Sequence, residues 1–507
     1  MSNDSFSVSN TSNDSDYDFN DDNNLSETPE ELYKNTQQVK NTKWKEVSSD
    51  ERERDWLPTF KTRYGVKNCK LAPESEPFEF FALIFSEQVF EDLTSWTNKK
   101  ASTKIDNSQR RKQKKSLWSN LSYQEMKAFV GILLAMGIIK LPNYRMYWDK
   151  STKLFSVPGI NEIMTEQRFE DIYGCLVLRD PSSKIESRLY EKIEPFVTQI
   201  ITNSQFHYQP SQNLSVDESM ISFSGRSSIK VFMPLKPIKI GLKAYVLCES
   251  STGFVLNWDL HTGEIKDDDY GVTYKIVMKL TESYEGEGYV VFMDRFYTSL
   301  QLFTDLKMFN IGAVGTIQQN RAQLSKEHQE SIQSLQYDEI IYFRNSEELL
   351  LSVWKDRKSV LVVSNYHQPE EEETERRTRR KDYTETTVPG EKVLLSIPKS
   401  IIDYTAHMGG VDHFDQVSQY YSPQIRTHRW YIKIFLHFLE ISVVNSYTIY
   451  KNIVEQKGKK PLSHLEFRKQ VIRGLVKEAR IQKNIQSTHE KNDQNKQPPN
   501  KPAYNYR

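Results

Sequence analysis

The chain has 507 residues, is 37% hydrophobic and carries no formal net charge at pH 7. That length predicts two to four domains, and three widely spaced cysteines (Cys69, Cys175, Cys248) argue against a disulfide framework or a Cys-rich zinc module. The chain opens without a basic-then-apolar leader, and the apolar stretch 129–139 is too short to cross a bilayer, so a soluble, intracellular protein with no membrane partner is expected.

Charge is distributed unevenly. Residues 1–33 hold nine Asp or Glu and no Lys or Arg, which leaves +9 on residues 34–507 against a total of zero. A modestly basic body behind an acidic, Asn/Ser-rich tail is compatible with a polyanionic partner. Residues 1–45 are poor in large aliphatics and are expected to be disordered.

Helical spacing begins near residue 75. Phe81, Ile84, Phe85 and Val89 predict a helix over 77–96, and Ser122-Tyr-Gln-Glu125 has the form of a capping box before the apolar run. Thr165 is placed to cap a helix bearing Phe169, Ile172 and Leu176, and 191–201 predicts another. Strand signals follow. Residues 214–223 are β-rich, and 240–248 and 254–260 flank the turn-forming Ser250-Ser-Thr-Gly253. The continuous apolar run 289–293 suits a strand buried on both faces. A helix over 299–308 and a strand over 311–317 complete a mixed α/β pattern. Residues 321–395 interrupt it with strand-like pieces (339–343, 349–354, 360–364) and a charged run. Helices are predicted again over 412–420 and 429–450.

Three aspartates mark this framework. Asp217 lies in a strand, Asp294 ends one, and Asp412, with Asp415 three residues on, opens a helix. Each alone has a plain explanation, as an exposed strand edge, a turn former or a helix-start acid. Gathered at one point they form an oxygen cage suited to Mg²⁺ or Mn²⁺, and two such ions serve displacement at phosphorus. Two carboxylates about 5 Å apart repel by roughly 3 kcal/mol at an effective dielectric of 20, so such a cluster demands cations or protons. Between the first two acids lie Arg226, Lys236, Lys239 and Lys243, and Arg429 and Trp430 precede the long helix. These cations suit phosphate contacts or a solvated hairpin edge, and Trp430 suits a core anchor. The basic clusters 110–115 and 376–381 fit an import signal or a phosphate-binding arm.

Ser215-Val-Asp-Glu-Ser-Met220, Phe223-Ser-Gly-Arg226, Met233-Pro-Leu-Lys-Pro237 with Lys239-Ile-Gly-Leu-Lys243, Asp294-Arg-Phe-Tyr-Thr-Ser299, Gly409-Gly-Val-Asp412 with Asp415-Gln416, and Arg429-Trp430 resemble, in order and spacing, the piggyBac-type transposases. The resemblance covers roughly residues 75–455. It implies an α/β fold with a ribonuclease H-like mixed-sheet catalytic core, an insertion after the second aspartate, and a flanking helical region for DNA binding and dimerisation. It implies that Asp217, Asp294 and Asp412, with Asp415, bind two Mg²⁺ or Mn²⁺ ions, and that Arg226, Lys236, Lys239, Lys243, Arg429 and Trp430 serve DNA. The implied activity is cut-and-paste transposition of double-stranded DNA through a hairpin intermediate into a TTAA target, by a nuclear homodimer without a small-molecule cofactor. The alternative is a domesticated DNA-binding protein that no longer cuts. No cysteine follows Cys248 in this sequence, so neither a counterpart of the zinc-binding end-recognition domain of characterised members nor zinc is expected.

The expected organisation is an acidic tail (1–45), a helical region (75–212), the first part of the core (213–320), an insertion (321–395), the last part of the core (396–425), a helical DNA-binding part (426–476) and a basic disordered tail (477–507).

Overall fold

The computed structural model describes residues 42–51, 56–110, 118–151, 157–184, 189–263, 270–377 and 392–494. Its centre is a ten-stranded mixed sheet. Across it run, in order, Trp44–Val47, Ile340–Asn345, Leu350–Lys355, Ser359–Ser364, Gly312–Thr316, Val290–Met293, Asn213–Ser222, Ile240–Glu249 and Lys230–Phe232, with Val255–Leu260 also paired to Ile240–Glu249. Asn213–Ser222, Ile240–Glu249 and Val255–Leu260 form an antiparallel meander. Val290–Met293 then adds in parallel to Asn213–Ser222, and Gly312–Thr316 in parallel to Val290–Met293. Helix Leu300–Met308 makes the crossover between those two parallel strands. Three antiparallel strands followed by two parallel ones are the ribonuclease H-like core that the resemblance implied.

Alternation along the central strands divides the interior. Val291 and Met293 face the large core shared with the helices, whereas Val290 and Phe292 face a smaller cluster with Val314, Val362, Leu395 and Ile401. Both faces of Val290–Met293 are therefore covered, which is why its sequence is apolar without a break. Helix Trp430–Gln456 runs through the large core. It is long and apolar enough to cross a membrane, but 78% of its most apolar window is buried inside the fold. Asn445 clamps this helix to the sheet, accepting from the Val255 N–H at 2.9 Å and donating to the Val255 carbonyl at 2.9 Å and the Ser204 hydroxyl at 3.0 Å.

Local signals were mostly decisive. The Ser122 hydroxyl accepts from the Glu125 N–H at 3.2 Å while the Glu125 carboxylate accepts from the Ser122 N–H at 3.0 Å, so the capping box opens helix Tyr123–Ile138. Thr165 caps Glu166–Cys175, and Ser299 caps Leu300–Met308.

Three expectations need correction. The helix expected over 77–96 is two, Pro77–Ile84 and Glu87–Arg110, broken where Phe85 leaves helical geometry. Within the expected insertion 321–395, strands Ile340–Asn345, Leu350–Lys355 and Ser359–Ser364 extend the central sheet, and Trp44–Val47 forms the outer edge, so the tail expected to be disordered to residue 45 is a strand at Trp44 and Lys45. The expected basic tail 477–507 is helical as far as Gln494, as the end of His464–Gln494. The remainder of both tails, and most of the two basic clusters, lie outside the described residues.

Candidate active site

Chain register sets the site. Val216 pairs with Met293 in the parallel ladder, so the next residues, Asp217 and Asp294, leave neighbouring strands at the same level. Adjacent strands lie about 4.8 Å apart, which puts two carboxylates within mutual reach. Asp294 ends its strand in a tight turn, its Oδ1 accepting from the Phe296 N–H at 2.9 Å. Asp412 arrives from a different element, in the first turn of helix Gly410–Tyr421, which packs on Asn213–Ser222 and Ile240–Glu249.

Glycine makes that approach possible. A Cβ on Gly410 would sit 2.4 Å from the Ser215 hydroxyl and 2.9 Å from the Glu249 carbonyl. Gly253, at φ +68°, turns the neighbouring hairpin directly beneath the same helix. The helix start therefore touches the strand bearing Asp217. Asp415, one helical turn further, accepts from the Ser219 hydroxyl at 2.6 Å, tying the two elements together.

These side chains shift one another's proton affinities. Burial first, then Glu218, Asp294 and Asp412, hold the Asp217 carboxyl well above the usual carboxylate range, against the pull of Lys236. Burial and Glu218 raise Asp294 to about 6. Burial, with Asp412 and Glu218 adding to it, raises Asp415 to about 7. Glu218 goes the other way: burial alone would raise it, but Lys236 and Lys243 bring it below its ordinary value. Its carboxylate also accepts from the Tyr297 hydroxyl at 3.3 Å.

Lys236 stands inside this group. Its ammonium is 3.6 Å from Asp217 Oδ2 and 3.4 Å from Glu218 Oε1. Among the described residues, no three His, Cys, Asp or Glu side chains form a group able to hold a metal ion. The donor chemistry nonetheless fits a hard divalent cation, since every acid in the cluster offers carboxylate oxygens.

The residues expected to serve DNA divide by position. Arg226 and Lys239 are exposed. Lys236 is committed to the acids, and Lys243 is buried with its ammonium 4.3 Å from the centre of the Phe296 ring. Arg429 donates to the Tyr173 carbonyl at 2.6 Å and lies 4.7 Å from the Tyr173 ring centre, clamping the long helix to helix Glu166–Cys175. Trp430 is buried in the main core, where it starts the long helix. Glu218, Ser219 and Tyr297 belong to the cluster but escaped the sequence reading. Strand alternation assigns Glu218 to the face opposite Asp217; the signal that Lys236 folds back to both acids lies in the tertiary structure.

Comparisons with known proteins agree with this architecture. The family model described as Transposase IS4 matches residues 76–447. PiggyBac transposable element-derived protein 3 of Homo sapiens is 25% identical over 417 residues, covering 78% of this chain and 64% of its own. PiggyBac transposable element-derived protein 2 of Homo sapiens is 24% identical over 387 residues, covering 75% of this chain and 62% of its own. The chain thus spans less than two thirds of the length of either relative. Among solved structures, a cryo-EM structure of the piggyBac transposase synaptic complex with hairpin DNA superposes with a TM-score of 0.68 at 22% identity, over 83% of this chain and 84% of that one. With most of its length matched by the family model and its sheet laid out as in that structure, the chain belongs to the Transposase IS4 family and is similar to its piggyBac-type members.

Proposed function

We propose that the protein is a metal-dependent DNA transposase of the piggyBac type, or a domesticated derivative that keeps its phosphoryl-transfer centre. The observation supporting this reading is the approach of Asp294, from the neighbouring parallel strand, and Asp412, from a helix start, to the buried Asp217, whose proton affinity both raise. Asp217, Asp294, Asp412 and Asp415 would hold Mg²⁺ or Mn²⁺, which when bound supplies Lewis-acid activation of an attacking oxygen and stabilisation of a leaving one. The carboxylates themselves orient and charge the site, and Ser219 fixes Asp415 by its hydrogen bond. Exposed Arg226 and Lys239 on the adjoining hairpin are suited to phosphate contacts that position a duplex. Strand nicking, hairpin formation and joining to a TTAA target, carried out by a nuclear homodimer, complete the reading.

Asp217→Asn, Asp294→Asn and Asp412→Asn are expected each to abolish Mg²⁺-dependent nicking of duplex DNA while leaving retention on DNA largely intact. Equal cleavage by the wild type and the triple variant would remove the enzyme reading. A second reading, a DNA-binding protein that no longer cuts, is favoured by the Lys236 ammonium lying against Asp217 and Glu218. It predicts a salt-sensitive shift of labelled duplex with no cleavage in either metal.

A further inference from the structure

Lys236 lies on a tongue of residues 233–239 that joins Lys230–Phe232 to Ile240–Glu249. The tongue and its flanks face water: Phe232, Leu235 and Ile240 are 61%, 68% and 49% exposed, and Lys239 is exposed too. From this open element the Lys236 side chain turns inward. Besides its two carboxylate partners, its ammonium donates to the Glu218 carbonyl at 3.5 Å. A surface lysine on a solvated hairpin has no need of such a course, since burial costs its hydration. The compensation is that Asp217 and Glu218 are neighbouring buried carboxyl groups, and the Lys236 ammonium lies within 3.6 Å of one and 3.4 Å of the other.

The ammonium therefore occupies oxygen atoms that a hard cation would use, and a divalent ion placed beside it would be repelled. We propose that Lys236 is a tethered counter-ion of the acid cluster, which neutralises Asp217 and Glu218 in the metal-free protein and leaves with the tongue when a divalent cation enters. This rests on the reading of Asp217, Asp294 and Asp412 as a metal site.

Calorimetric titration of the full chain with Mn²⁺, after removal of bound metal, tests the exchange. Lys236→Gln, which keeps a donor but loses the charge, is expected to bind Mn²⁺ roughly tenfold more tightly than wild type. Lys236→Arg, which keeps the charge, is expected to stay close to wild type. The wild-type protein gives an independent reading: acetylation of Lys236, followed by peptide mass spectrometry, is expected to be slow in EDTA and to rise severalfold with Mn²⁺. Equal or weaker Mn²⁺ affinity in Lys236→Gln, or acetylation of Lys236 indifferent to Mn²⁺, overturns the counter-ion role alone. Absence of Mn²⁺ binding by wild type and Lys236→Gln alike overturns the metal site and the counter-ion together.

Discussion

Asp294 and Asp415 carry the clearest pH signature of the acid cluster. Both titrate above their ordinary 3.8, Asp294 at about 6 and Asp415 at about 7, chiefly because burial disfavours their charged forms. The folded state then binds their protons more tightly than the unfolded chain does. Their stabilising contribution is fully present below the unfolded value and is lost as pH rises through about 6 and then about 7. In EDTA, the melting temperature is therefore expected to fall across that window. Asp415→Asn keeps an acceptor for Ser219 without the charge, so it should remove the upper part of the fall and raise the melting temperature at pH 8 by roughly 2–5 °C. Thermal melts of both proteins across pH would show it; parallel curves would count against the raised proton affinity of Asp415.

At the scale of the element, the decisive contact is the start of helix Gly410–Tyr421 against strand Asn213–Ser222. Gly410→Ala would drive a methyl to 2.4 Å from the Ser215 hydroxyl and 2.9 Å from the Glu249 backbone carbonyl, and the carbonyl has little room to yield. The helix must shift, carrying Asp412 away from Asp217 and Asp294. On the proposed function, Gly410→Ala is expected to lower nicking about a hundredfold while DNA retention stays near wild type, since a displacement of about 1 Å at a reacting centre has that effect. Two long helices are joined just as specifically. Arg468, fully buried, makes paired hydrogen bonds with the buried Glu440 and lies 5.0 Å from the Tyr421 ring centre. Glu440→Ala leaves that guanidinium uncompensated in the core and is expected to cost about 3–5 kcal/mol, measurable by urea denaturation. A loss under about 1 kcal/mol would mean that water reaches Arg468.

Across the whole molecule, the N-terminal helices, the long helix Trp430–Gln456 and one face of the sheet share a single continuous core. Asn445 bonds to both Ser204 and Val255, tying the helical regions to the sheet inside that core. Intrinsic tryptophan fluorescence and far-ultraviolet circular dichroism are therefore expected to report one coincident denaturant transition. Two resolved transitions would show that the helices fold apart from the sheet.

The sequence by itself determined the local elements and the order of the acidic motifs. Ser122 with Glu125 announced a helix start, the unbroken apolar run 289–293 announced a doubly covered strand, and Ser250-Ser-Thr-Gly253 announced a hairpin, because caps, alternation and turn chemistry act over a few residues. The resemblance carried by the ordered motifs implied the ribonuclease H-like core before any strand was paired. The environment of the acids was not legible. Only the tertiary structure turned Lys236 inward, recruited Glu218 and Tyr297, and engaged Arg429 in holding the long helix, and it decided between the two readings of Trp430 in favour of the core anchor. It likewise showed that the strands of the expected insertion 321–395 extend the central sheet. These outcomes depend on contacts between residues far apart in the chain and on the burial of charge, and neither leaves a periodic trace in the sequence.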